Sequence, residues 1–172
     1  PIILCMAVSS SFSSVGSVNT TIINIAQTEL ENWEFSIGGQ KYKSWYGIDG
    51  NWCAMFVSWC ANECGYIEDG IMPRTASVAN MADWYKKNST FYPKESGYEP
   101  KAGDVIFFQN GMSHVGLVEE YDAETKTITT IEGNTGSSST SPYHKGSRVK
   151  RRTYPLTYKK ISGYGIPDYP LE

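Results

Sequence analysis

NWCAMFVSWCANECG, residues 51–65, carries apolar or small side chains around most of its circumference, which predicts a helix covered on most sides by the rest of the chain. Asn51 is placed to cap its start and Gly65 to stop it. Cys53 then falls in the first turn. Unpaired backbone amides and the helix dipole favour negative charge there, which suits a thiolate and offers donors to an oxyanion. Cys60 and Cys64 are four apart, share a helix face, and read as core.

Working outward, TTIINIAQTELENW (20–33) spaces Ile22, Ile25, Ala26 and Leu30 as a second amphipathic helix, with Asn19 or Thr20 as its cap. SIGGQKYKSWYGIDG (36–50) is rich in glycine and aromatics and reads as a loop, whose Trp45 and Tyr46 either line a site or plug the core. SVANMADWYKKN (77–88) predicts a further helix, capped by Ser77 and ended at Asn88. STFYPKESGYEPKAG (89–103) reads as loop. DVIFF (104–108) is a buried-strand run, and SHVGLVEEYD (113–122), TKTITTIEGN (125–134) and SRVKRRTY (147–154) follow as strands. Helices first and strands after predict an α+β fold, N-terminal helices packed on an antiparallel β-sheet. GSSSTSP (136–142) is expected to form a loop, a lip over a groove.

A chain of 172 residues, 40% hydrophobic and 13% aromatic, is large enough for one domain with its own core and too apolar to be disordered. A net charge of -3 argues against nucleic acid as a partner. The stretch His144–Lys160 is locally basic and reads either as a solvated strand face or as a contact for an anionic polymer such as a cell wall. No apolar run is long enough to span a membrane. Four cysteines, at 5, 53, 60 and 64, do not form a disulfide framework, and with only two histidines no metal-ligand spacing exists, so neither metal nor cofactor is expected. The glycine pairs in SIGG and GIDG lack the lysine and helix of a phosphate loop. PIILCMAV followed by serines reads as a clipped leader, a linker or a construction remnant.

Three stations remain in the order Cys53, His114, Glu132/Asn134. A thiol needs a base to become a nucleophile, and the base needs a polar partner to hold its tautomer, so these residues supply a cysteine acyl-transfer site. Glu132 and Asn134 are two apart on a predicted strand and face the same way, and either can orient the His114 ring. Trp45, Tyr46, Trp52 and Ser113 are the expected substrate-side contacts.

The phrases WCAMFVSWCANECG, PKAGDVIFF, SHVGLVEEYD and ITTIEGNTG, in that order, resemble the CHAP family, cysteine amidohydrolases and peptidases of the NlpC/P60 kind found in bacterial and phage cell-wall lysins. The resemblance runs from about Thr20 to Tyr169. It implies a papain-like fold cleaving amide bonds of peptidoglycan, extracellularly or at the wall, with the nucleophile at Cys53, the base at His114 and the polar third member at Glu132, Asn134 being an additional or substitute member. YGIDGNW offers only Asp49 toward the calcium loop of some relatives, so calcium is not carried over. The usual glutamine donor before the nucleophile is not evident, which leaves the Cys53 amide as the oxyanion donor. Residues 20–170 then form the catalytic domain, 1–19 a leader or linker remnant and 171–172 a cloning scar, with tethering to other domains in a longer protein expected. Two other classes stay open: a non-catalytic wall-binding module, and a papain-like protease or acyltransferase acting on proteins.

Overall fold

The computed structural model describes residues 20–109, 113–136 and 147–170. The leader with Cys5 and Asn19, most of the 136–142 lip, His144 and residues 171–172 lie outside them.

Helix α1 (Thr20–Glu31) leads through a 3-10 segment, Trp33–Gly39, into the short α2 (Gln40–Tyr46), then α3 (Cys53–Glu63) and α4 (Val78–Lys87). Six strands follow, β1 (Phe91–Pro93), β2 (Val105–Phe108), β3 (His114–Asp122), β4 (Thr127–Thr135), β5 (Arg148–Pro155) and β6 (Ile161–Gly165). They form one sheet in the order β1-β6-β2-β3-β4-β5, every neighbouring pair antiparallel. The architecture is α+β, as expected of a papain-like fold.

Helix α3 is central for the reason its composition implies. From Cys53 to Ala61 every side chain but Trp59 is buried, against β3 and β4 on one side and α1, α2 and α4 on the others. Gly65, at φ 77°, ends it, with the Tyr66 amide turned back to the Ala61 carbonyl at 2.9 Å. At the other end the expected cap is corrected. Trp52 is the N-cap residue and no side chain caps the helix; the Asn51 side-chain oxygen instead accepts from Asn134 at 3.3 Å. In α4 the Ser77 hydroxyl does accept from the Asn80 amide.

The segment 36–50, expected as loop, holds α2. Seven residues are too few for a stable isolated helix, and packing makes this one: Tyr42 is fully buried, stacked on Trp52 at 5.1 Å and edge-on to Phe56 and Trp59. Its hydroxyl donates to the buried Glu29 of α1 at 2.6 Å, and Lys41 closes the same carboxylate at 2.7 Å. Strands β1 and β6 also escape the sequence pattern. Beside β5, the 3-10 segment reaches the sheet: the Gly38 amide donates to the Ser147 carbonyl at 2.8 Å and the Val149 amide to the Ser36 hydroxyl at 2.9 Å.

Alternation gives the sheet two faces. Val105, Phe107, Val115, Leu117 and Ile131 pack with the helices, while Ile106, Phe108, Val118 and Ile128 form a second apolar cluster with Ile161 and Tyr164. His114 pairs with Phe108 and so stands on the second face, at the very start of β3.

Candidate active site

Two backbone features bring α3 to the end of β3 where His114 stands. A side chain at Gly133 would meet the Phe56 Cβ at 2.5 Å and the Trp52 ring at 2.8 Å, so its bareness lets β4 lie directly on the first turn of the helix. The ladder between β4 and β5 then slips between Glu132 and Thr135, with Asn134 at φ 56°. The helix N-terminus thus arrives at the sheet end beside the residues that follow Glu132. Its first intrahelical bond runs from the Phe56 amide to the Trp52 carbonyl at 2.9 Å, which leaves the amides of Cys53, Ala54 and Met55 directed out of the helix end.

Glu132 occupies the second face and is 1% exposed. Its side chain crosses toward β3 over Gly116, where an added Cβ would stand 2.6 Å from the Glu132 Cγ. The glycine two residues after His114 is therefore the gap through which the carboxylate reaches the ring. Glu132 Oε2 lies 2.7 Å from His114 Nε2, and Oε1 accepts from the Thr130 hydroxyl at 2.6 Å. The Tyr154 hydroxyl is a third partner of the carboxylate, and burial followed by that negative charge holds the phenol well above its usual range. Phe108 lies against both the His114 ring and the Tyr154 ring, at centroid distances of 5.6 and 5.1 Å.

Glu132 holds one nitrogen of the His114 ring, and the Cys53 thiol is near enough to act on the charge of the ring. Burial pulls its pKa down, but the hydrogen bonds and charges of Cys53 and Glu132 outweigh burial and raise it from 6.5 to about 9. That shift favours the imidazolium form, whose Nε2–H donates to Glu132. With Nε2 so occupied, Nδ1 is the nitrogen left for the thiol. Cys53, His114 and Glu132, distant in sequence, are thus brought to one end of the sheet.

The other expected site residues lie elsewhere. Asn134 bonds to Asn51 at the rim, not to the imidazole. Trp52 is a correction: it is 1% exposed, stacked on Tyr42, and its indole N–H donates to the Ser147 hydroxyl at 3.0 Å, so it presents no ring to a ligand. Trp45 and Tyr46 clasp the Arg74 guanidinium at 5.0 and 4.3 Å, away from the cavity beside His114. Ser113 is exposed and directly precedes His114, its amide donating to the Phe108 carbonyl at 3.2 Å. Sequence reasoning missed Thr130 and Tyr154. Thr130 sits two residues before Glu132 and shares its face, a signal available in ITTIEGN; Tyr154 comes from another strand and only the register reveals it.

A cavity of about 390 Å³ adjoins the pair, lined by His114, Glu132, Thr135, Arg152, Thr153, Tyr154 and Tyr158. The basic stretch near it is split by strand alternation: Arg151 forks onto Glu119 at 2.6 Å, Lys150 donates to the Gly136 carbonyl at 3.1 Å, and Arg148 lies over Trp33 at 3.8 Å. Cys53, Cys60 and Cys64 are free thiols. Burial raises the Cys60 thiol well above its usual range, and burial with the nearby Glu63 lifts Cys64 to about 11. Among the described residues no group of three or more His, Cys, Asp or Glu side chains is placed to hold a metal, and no helix is long and apolar enough to cross a membrane.

Among known families, that of the CHAP domain matches residues 45–134, a span that takes in Cys53, His114 and Glu132. No curated protein and no solved structure matches the chain.

Proposed function

The chain belongs to the CHAP domain family, and on that premise we propose that it is a cysteine peptidoglycan hydrolase, cutting amide bonds of stem or crossbridge peptides or the bond joining muramic acid to L-alanine. The family points to a peptidoglycan hydrolase type of function, its members being typically cysteine- and histidine-dependent amidases or peptidases that act on cell walls. The observation that carries the finer reading is the His114 ring held by a buried carboxylate at 2.7 Å, with the Cys53 thiol at the helix end near enough to act on its charge.

In this mechanism the Cys53 sulfur attacks the scissile carbonyl carbon. The oxygen becomes an oxyanion, facing the Cys53 amide and its neighbours at the α3 N-terminus, and one such donor lowers the barrier by about 3 kcal/mol. His114 gives its proton to the departing amine as the C–N bond breaks, leaving a thioester. Water, deprotonated by the now neutral ring, then attacks the thioester and frees the acid and the thiol. Glu132 keeps the ring oriented and stabilises its charged form without itself taking the proton. Residues 20–170 serve as the catalytic domain, working outside the cell or at the wall.

Mass spectrometry of fragments released from purified sacculi tests the reading. A free lactyl carboxyl on the sugar identifies amidase cleavage and new peptide termini identify endopeptidase cleavage. Fragment release equal in the wild type and Cys53→Ala would refute it. A passive wall-binding module predicts adhesion that survives thiol blocking, and an enzyme acting on proteins predicts cleavage of casein but not of sacculi.

A further inference from the structure

Arg152 borders the same cavity as His114 and Glu132, and its charge is left over when the neighbouring charges are paired. It is the direct partner of Thr130 across the β4–β5 ladder, as Lys150 is of Glu132, so both cations stand on the face that carries the imidazole. Arg151, facing the other way, takes Glu119; among the described residues Arg152 has no ion pair. Burial, then the proximity of Arg152 and Arg148, lowers the Lys150 pKa, so the positive charge here is locally in excess. Tyr154 and Tyr158, stacked at 4.9 Å, wall the cavity with aromatic surface that limits water around an ion pair formed inside it.

From these observations we infer that the cavity is a subsite for a carboxylate of the substrate, held by Arg152 beside the scissile amide. The inference rests on the cysteine-hydrolase reading for which bond is cut and adds the class of substrate: a peptide bearing a free carboxylate near that bond. Arg152 and His114 lie on strands two places apart, and the pairing Arg152–Thr130–Val118 sets Arg152 four residues along the sheet from His114, so their backbones are about 16 Å apart at ordinary strand geometry. An extended peptide advances about 3.4 Å per residue, and the arginine side chain shortens the span, so the carboxylate belongs about two to four residues from the cleavage point. A guanidinium takes such a group in two parallel hydrogen bonds, which an amide cannot match in charge or geometry.

The test uses two synthetic muramoyl stem peptides, one with free carboxyls and one with the same carboxyls converted to carboxamides. Binding is measured by calorimetry to the Cys53→Ala protein, with and without Arg152→Gln or Arg152→Lys. The carboxylate peptide is expected to bind about tenfold tighter than the carboxamide; Arg152→Gln should erase that margin and Arg152→Lys keep part of it. Equal affinities, no measurable binding of either peptide, or an Arg152→Gln loss shared equally by both overturns the subsite. Turnover by the wild-type protein is read separately. Absent cleavage with the carboxylate margin intact sinks the hydrolase reading and leaves the subsite standing.

Discussion

Replacing Glu132 by Gln removes a charge from behind the imidazole while keeping a group that can accept a hydrogen bond. The rise of the His114 pKa from 6.5 to about 9 amounts to about 3 kcal/mol in favour of the imidazolium, supplied by Cys53 and Glu132 against the cost of burial. A hydrogen bond to a charged partner is about twice as strong as a neutral one, so the amide forfeits about 1–1.5 kcal/mol, or about one pH unit. His114 in Glu132→Gln should therefore titrate about one unit lower than in the wild type. Ring-proton NMR between pH 5 and 10 reads this without any substrate, and because the chain has two histidines a His144→Gln control completes the assignment. Stability should follow. The His114 contribution is fully present below its unfolded pKa of 6.5 and is lost as pH rises through about 9. Urea midpoints of the wild type should fall across that window, and those of Glu132→Gln should fall less. Identical His114 titration in the two proteins would refute the account of how the base is held.

Cys53→Ala should abolish fragment release from sacculi and lower stability by its share of the support given to the imidazolium, a loss that fades as pH rises through about 9; residual release above background contradicts the nucleophile assignment. Gly116→Ala drives a methyl into the Glu132 side chain at 2.6 Å and should cost about 1–3 kcal/mol in urea unfolding together with most of the activity, whereas a fully active variant would show that the carboxylate has another path to the ring. Thr130→Val strips a buried carboxylate oxygen of its 2.6 Å donor, at about 1–3 kcal/mol, and should displace the His114 titration as well; unchanged titration would reduce Thr130 to packing. Trp52→Ala should cost about 3–5 kcal/mol and abolish lysis by unfolding, while Trp45→Ala leaves stability nearly untouched, a contrast that thermal melts decide.

The elements legible in the sequence are those whose pattern matches their burial. The apolar stretch 53–61 could only be a covered helix, Ser77 names the start of α4, and 104–108 could only be a buried strand. What escaped detection depends on contacts with distant residues. Helix α2 exists because Tyr42 fits between Trp52, Phe56 and Trp59. Strand β6, ISGYG, looks like a turn because Gly163 and Gly165 give up their side-chain space to Phe91 and Tyr85. In the site, the chemistry of cysteine, histidine and a carboxylate was readable as a set of parts, and the choice between Glu132 and Asn134 was not. The break in the ladder after Glu132 turns Asn134 toward Asn51 and leaves the carboxylate alone on the imidazole. Trp52, expected on the substrate side, directly precedes Cys53, and only its stacking on Tyr42 shows that it is interior.

Among the described residues the sheet ends on β1 at one side and β5 at the other, and an open strand invites a foreign strand to zip onto it. One border is three residues long and closes with Pro93, too little for a partner to grip. The other is shielded by Trp33–Gly39 at its beginning and continues through Lys150 and Arg152, cations that repel a second copy approaching in register. Crowded on a solid surface, neighbouring molecules should stay separate rather than knit into fibres. Neutralising that cationic margin, even with residues that favour strands, would trade solubility for self-association.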